Sequence, residues 1–236
     1  MRRYIFTTFL VLICNPANAQ SGFGPEAGIG LSTMHFAPDL GFTSATTTPI
    51  AGGKIGGIAE KSFNRHIFFQ SGIFFSRKGQ TRTFYFYLSD SLNESVKQTL
   101  LINYFDLPVN ICWKSGSQGR GRVIGGIGVT FSYIAGGRNQ LQSYGSSDGK
   151  PYNTVIYEPI KPGNPIKGFD IGANFFAGYE LRTGLFFRVY YTAGIDDLGL
   201  GTEIDKNRAF GVSAGYFFGK GRNINKEDDL IDHSTD

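Results

Sequence analysis

Histidine, cysteine, tryptophan and long apolar runs are scarce in this chain of 236 residues. Each scarcity removes a class of function. There are 2 Cys and 3 His. Cys14 falls within the first twenty residues, so Cys112 is left alone and no internal disulfide can form. His35, His66 and His233 are far apart, and no cysteine or carboxylate is spaced with them as in a metal site. Beyond the opening segment no apolar run approaches the ~20 residues a membrane helix needs. Charged residues make up only 18%, with a formal net charge of +4 that includes Arg2 and Arg3 of the opening segment. The remainder is near neutral and carries no electrostatic footprint for nucleic acid.

The opening segment reads as an export signal. Arg2-Arg3 gives a basic start, Tyr4–Cys14 is a short apolar run, and Ala17-Asn18-Ala19 has the small-x-small pattern of a cleavage site. Cleavage is expected after Ala19. Ile13 stands before Cys14 where a lipoprotein signal requires a small residue. Residues 20–218 then form one domain, and Gly219–Asp236 is expected to be a disordered periplasmic tail, being charged and without periodicity.

The abundant residues are 33 Gly, 22 Phe and 12 Tyr. Glycine and aromatics together suit a barrel wall, where rings face lipid and glycine makes room in a narrow lumen. Val123–Arg138 (VIGGIGVTFSYIAGGR) shows the pattern: Val123, Gly125, Ile127, Val129, Phe131 and Tyr133 alternate with small or hydroxylated residues. Similar segments are Phe23–Phe36, Ile50–Phe63, His66–Lys78, Asn103–Lys114, Gly168–Leu181, Leu185–Ile195 and Arg208–Phe218. Asn103–Lys114 has the sharpest split, with Phe105, Leu107, Val109, Ile111 and Trp113 opposite Tyr104, Asp106, Asn110, Cys112 and Lys114. Pro108 lacks a ladder donor, so a bulge or break is expected there.

Eight strands follow, joined by connections that alternate between long and short. Ala37–Pro49, Gly79–Leu101 and Gly136–Lys167 are expected as long loops, the second as a projecting hairpin and the third holding a short strand at Thr154–Tyr157. The fold class expected is all-β: an eight-stranded antiparallel up-and-down transmembrane barrel, with short turns and both chain ends on the periplasmic side. Periodicity does not separate inside from outside, but residue volume does. The greasy faces are too bulky for a lumen that side chains must just fill. Rings therefore face out, with glycines, hydroxyls and the ions Asp106, Lys114, Asp170, Glu180 and Arg188 inside. The alternative is a soluble lipocalin-like barrel around an apolar ligand.

Phe68–Gly79 (FFQSGIFFSRKG), Tyr104–Val109 (YFDLPV), Gly168–Glu180 (GFDIGANFFAGYE) and Gly211–Phe218 (GVSAGYFF) resemble the PorT-like outer-membrane β-barrel family, small barrels of the Bacteroidetes type. The resemblance implies the outer membrane of a Gram-negative bacterium. It also implies contact with membrane lipids, and insertion by the barrel-assembly machinery through the final aromatic strand.

No catalytic, cofactor-binding or metal residues are assigned. A barrel enzyme acting on lipid or peptide would need a His, Ser and Asp at the outer rim. His35 near Ser32 and Asp39 is the nearest approach, and its spacing does not support one. His66 falls at a turn and His233 in the tail. Glu227-Asp228-Asp229 reads as solvated tail, and the glycines of GGIGVT precede no helix and so cradle no phosphate. The expected role is structural or interaction-based, without enzymatic activity or an open pore. A protein or glycan partner would meet the outer segments, where Tyr85, Tyr87, Tyr144, Tyr152 and Tyr157 cluster.

Overall fold

The computed structural model describes residues 21–35, 44–89, 92–115, 121–147, 150–162, 165–166, 168–195 and 206–218. The expected signal, the tail with His233, and Asp39 lie outside them. Ten strands form: β1 (Ser21–His35), β2 (Ser44–Ser62), β3 (Ile67–Ser89), β4 (Leu92–Lys114), β5 (Arg122–Ser147), β6 (Lys150–Pro162), β7 (Pro165–Ile166), β8 (Phe169–Glu180), β9 (Leu185–Gly194) and β10 (Lys206–Tyr216).

Strands β1 to β5 each pair antiparallel with the next, β5 pairs with β8, and β8, β9 and β10 lead back to β1. Eight strands thus close a ring, so none of these ladders ends at an open edge within the wall. β6 and β7 stand outside the ring. Short turns at 63–66 and 181–184 lie at one end, together with the facing ends of β4 and β5 and a bridge between Phe23 and Phe218 that joins the first and last strands.

Side-chain orientation follows the alternation. On β4, Phe105, Leu107, Ile111 and Trp113 are exposed, while Tyr104, Asp106, Asn110, Cys112 and Lys114 are buried. The outward face is an apolar band between two aromatic girdles. Phe75, Phe105, Tyr133 and Phe169 border one side, and Phe23, Trp113, Tyr216 and Phe218 the other. From Phe105 to Trp113 the strand covers about 27 Å at ~3.4 Å per residue, or ~21 Å of depth at a ~40° tilt, close to the band of an outer-membrane barrel.

At the end opposite the short turns, Gly79–Leu101 is the projecting hairpin expected, with β3 and β4 paired from Gly79↔Leu101 to Tyr87↔Asn93. The other two expected loops contain strand. Residues 44–49 continue β2 against β3, and the short strand expected at Thr154–Tyr157 is the 13-residue β6, paired with β5 from Gly137↔Ile160 to Ser147↔Lys150. The three expected loops are therefore largely one sheet rising from half of the rim. Proline clusters argue for loop, but an edge strand tolerates proline, and β6 is paired only with β5 over Lys150–Ile160, meeting β7 at Lys161 and Pro162 alone. Pro108 interrupts pairing to β3 opposite Gly72–Ile73, and the register resumes unchanged, so the expected disturbance is a break without a bulge.

The interior also differs. The chain holds five Phe-Phe pairs, and in a strand adjacent residues face opposite ways. Phe68, Phe74, Phe176, Phe186 and Phe217 all turn into the lumen, while Phe75, Phe175, Phe187 and Phe218 face out. Rings are therefore not confined to the outer wall. With Ile58, Cys112 and Ile124 the inner rings fill the short-turn end. A second cluster, Met34, Leu100, Ile102, Tyr104, Ile134 and Ile160, closes the opposite end.

Two glycines make room for these rings. A Cβ at Gly126 would lie 2.4 Å from Cζ of Phe176, and one at Gly215 would lie 2.3 Å from Cζ of Phe186. Gly126→Val and Gly215→Val should each destabilise the barrel by ~1–3 kcal/mol through overpacking. Gly125→Val, whose Cβ meets nothing nearer than 3.8 Å, should not. The temperature at which the compact, fast-migrating form is lost on unboiled gels measures this.

Candidate functional site

Among and between the residues of the two apolar clusters the lumen is ionic. Five carboxylates (Glu26, Glu60, Asp106, Asp170, Glu180) and five cations (Lys54, Lys78, Lys114, Arg122, Arg188) project inward from the ring's strands. Strand alternation puts them there, since each alternates with an outward-facing residue, apolar in most cases and Arg77 beside Lys78.

The lower network is continuous. Arg122 Nη2 donates to Glu180 Oε1 at 2.7 Å, and Lys114 Nζ bonds Glu180 Oε2 and both oxygens of Glu60, the latter at 2.7 Å. Gln70 Nε2 donates to Glu60 Oε2 at 2.9 Å and Gln70 Oε1 accepts from Arg188 Nη1 at 3.1 Å. Arg188 reaches Glu26 at 3.6 Å, and Glu26 holds Lys54 Nζ at 2.8 Å and the Ser213 hydroxyl at 2.7 Å. Higher up, Asp106 accepts from the hydroxyls of Ser76 and Ser132, both at 2.6 Å, and pairs with Lys78 at 3.0 Å.

Each inner phenylalanine faces one of these cations. Lys114 lies over Phe68 (4.7 Å) and Phe217 (5.0 Å). Arg188 lies over Phe176 (4.5 Å) and Phe186 (4.4 Å), and Lys54 over Phe74 (5.0 Å). Lys54 also sits 4.1 Å from the Tyr190 ring, and Lys78 4.8 Å from that of Tyr104. A cation with carboxylate on one side and ring on another exchanges its water shell for two attractive surfaces. The space left is a cavity of ≈ 60 Å³ lined by Glu26, Lys54, Asp106, Asn110, Arg188 and Tyr190 among others. It has room for a few water molecules.

The residues weighed for catalysis do not assemble. Ser32 is buried inside, where its hydroxyl accepts from Gly79 N at 2.8 Å and donates to Gly79 O at 3.1 Å. His35 ends β1 opposite Lys206, and its side chain and Asp39 lie outside the described residues. His66 sits at the β2–β3 turn at the other end of the barrel, its Nδ1 3.0 Å from Lys114 O. No group of three or more potential metal ligands occurs among the described residues. Glu60, Arg122 and the inner rings were not singled out from sequence. The Phe-Phe pairs were the available signal, because one ring of each must share the lumen with the ions.

A family model described as "Outer membrane protein beta-barrel domain" matches residues 17–199. The chain belongs to this family. It is accordingly an integral protein of a Gram-negative outer membrane, and its exposed apolar band is its lipid-facing surface. Among solved structures it is similar to the attachment invasion locus protein Ail of Yersinia pestis, at 12% identity and TM-score 0.38, over 84% of this chain and 99% of that one. It is also similar to OprG of Pseudomonas aeruginosa, at 11% identity and TM-score 0.42, over 85% and 97%. A third is Neisserial surface protein A, at 9% identity and TM-score 0.37, over 84% and 98%. A search of curated proteins found no match.

Lys114 is the centre of the lower network in this outer-membrane barrel. Lys114→Met leaves Glu60 and Glu180 facing each other without their shared cation, and should cost ~3–5 kcal/mol. Adding Glu60→Gln should restore part of that loss. Urea unfolding of the detergent-folded protein, followed by tyrosine and tryptophan fluorescence, measures both.

Proposed function

We propose that this protein is a small, closed outer-membrane barrel that acts by interaction and not by transport or catalysis. The observation that carries this reading is the contrast between its two halves. The lumen is filled by paired ions and rings, whereas the sheet above the rim presents strand faces and a β6 edge. Eight strands leave a lumen that side chains fill, and here the space remaining is about the size of a few waters. The inward ions are paired with each other, which supports a structural role for them.

The reading includes export by residues 1–19, a barrel over 20–218 and a periplasmic tail over 219–236. It places the short turns inside the periplasm and the sheet extension outside, meeting a protein or glycan partner. Motifs such as Tyr104–Val109 favour the PorT-like branch. Ser32 is held by the Gly79 backbone, which supports the non-enzymatic reading.

In intact cells, a cysteine replacing Lys97 in the Cys112→Ser background should react with a membrane-impermeant maleimide, and one replacing Arg182 should not. The purified protein in a planar bilayer should show no steady conductance of porin size. Labelling at position 182 alone, or a stable open channel, would refute the orientation or the closed lumen respectively.

A further inference from the structure

The outward face of the sheet extension carries charge of one sign. Beyond the girdle ring Phe75, β3 continues outward with Arg77, Gly79, Thr81 and Thr83. β4 presents Asn103, Leu101, Thr99 and Lys97 opposite them. On β5 the corresponding positions are Gly136, Arg138, Gln140 and Gln142. Among the described side chains no Asp or Glu occupies this face. Glu158 of β6 projects to the opposite side, where it accepts from Asn139 Nδ2 at 3.1 Å.

Arg138 reaches this face because of a bulge. Tyr104 pairs with Ile134, but Asn103 pairs with Gly136, so one residue of β5 is left over. Gly136, at φ 138°, takes up the irregularity, in a region that L side chains rarely adopt. Before the bulge, even-numbered residues such as Ser132 and Ile134 face in. After it Asn139 shares the inner face with Leu100, and Arg138 turns out. Without the bulge its guanidinium would join the lumen.

Arg77 is held in place as well. Its Nε donates to Asn103 Oδ1 at 2.9 Å, and the residue is exposed. Neither Arg77 nor Arg138 forms an ion pair among the described residues. β3 and β5 flank β4, so the two arginines stand about 10 Å apart laterally. Arg77 lies about 5 Å and Arg138 about 10 Å above the aromatic girdle, allowing ~3.4 Å per residue and a ~40° tilt. Arg77 thus lies within the headgroup layer of ~5–8 Å and Arg138 at its outer boundary, directly continuous with the lipid-facing band.

We propose that Arg77 and Arg138, with Asn103 between them, form a binding site for the phosphate groups of outer-leaflet lipid. The site anchors the base of the extension against the membrane surface. Arginine suits this task because its planar fork matches phosphate oxygens in pairs and it gives up water more readily than lysine does. The inference rests on the extension facing outward, as in the proposed function.

The full-length folded protein is placed in phosphatidylcholine bicelles containing either lipid A with both phosphates or the same lipid with both removed. The readout is the temperature at which the fast-migrating band is lost, each variant being compared with its own phosphatidylcholine baseline. The phosphorylated lipid should raise this temperature more than the dephosphorylated one. Arg77→Gln/Arg138→Gln should lose more than half of that increment, and high salt should shrink it in the parent protein. An equal increment with both lipids, or one fully retained in the double variant, overturns the proposal. Loss of the increment in Arg65→Gln/Arg182→Gln would instead place phosphate binding at the short-turn end and overturn the proposal. Absence of any heat-modifiable band would overturn the closed barrel on which both rest.

Discussion

The constraint on which this structure depends is that Lys54, Lys78, Lys114, Arg122 and Arg188, the cations within the ring, each have both a carboxylate and a ring beside them. A narrow lumen cannot hydrate an ammonium or guanidinium group, and an isolated buried charge is costly. Lys114 resolves this with Glu60, Glu180, Phe68 and Phe217, and Arg188 with Glu26, Gln70, Phe176 and Phe186. These partners come from different strands, so forming the network requires the ring to be closed in the correct register. A slip by one residue would send every inner charge into lipid and every outer ring into the lumen. The network therefore specifies the register at least as much as it stabilises the barrel.

The same alternation shapes both surfaces at once. A Phe-Phe pair supplies one ring to lipid and one to the lumen, and a Phe-Arg pair such as Phe187-Arg188 supplies a ring outside and an ion inside. Glycine is the third component. At Gly126 and Gly215 its missing Cβ is the space into which an inner ring fits. The high counts of glycine and phenylalanine are thus two sides of one packing problem.

Much of the barrel was legible in the sequence because period-two alternation is a local signal. The clean split over Asn103–Lys114 predicts orientation residue by residue, and the strand ends on the short-turn side match the observed ones closely, whereas the outer ends of β2, β3, β4 and β5 run on into the extension. The extension was less legible. Thr-rich, Pro-containing stretches such as Lys150–Pro162 look like loop, and only their pairing with β5 makes them strand. The bulge at Gly136 was hidden for the same reason, since two adjacent glycines blur the phase they alter. In the interior, counting greasy faces assigned the rings to lipid, but the second ring of each Phe-Phe pair had nowhere to go except in.

The division between barrel and extension follows from where hydrogen bonds can be satisfied. Inside the ring every strand has two neighbours, and the lumen pairs its own charges, so little is left to recruit a ligand. Above the rim the ring opens. β5 leaves β8 after Tyr133↔Phe169 and takes up β6 at Gly137↔Ile160, and β2 passes a bulge between Pro49 and Gly53 before continuing against β3 alone. Ser32 and Gln80 tie β1 to β3 where that departure would leave donors and acceptors unmatched, through Gly79 and the Met34 amide. The wall is thus sealed below and reopened above by defined irregularities. Free faces and an edge are confined to the upper part of the sheet, and the barrel beneath holds that part at a fixed height above the apolar band.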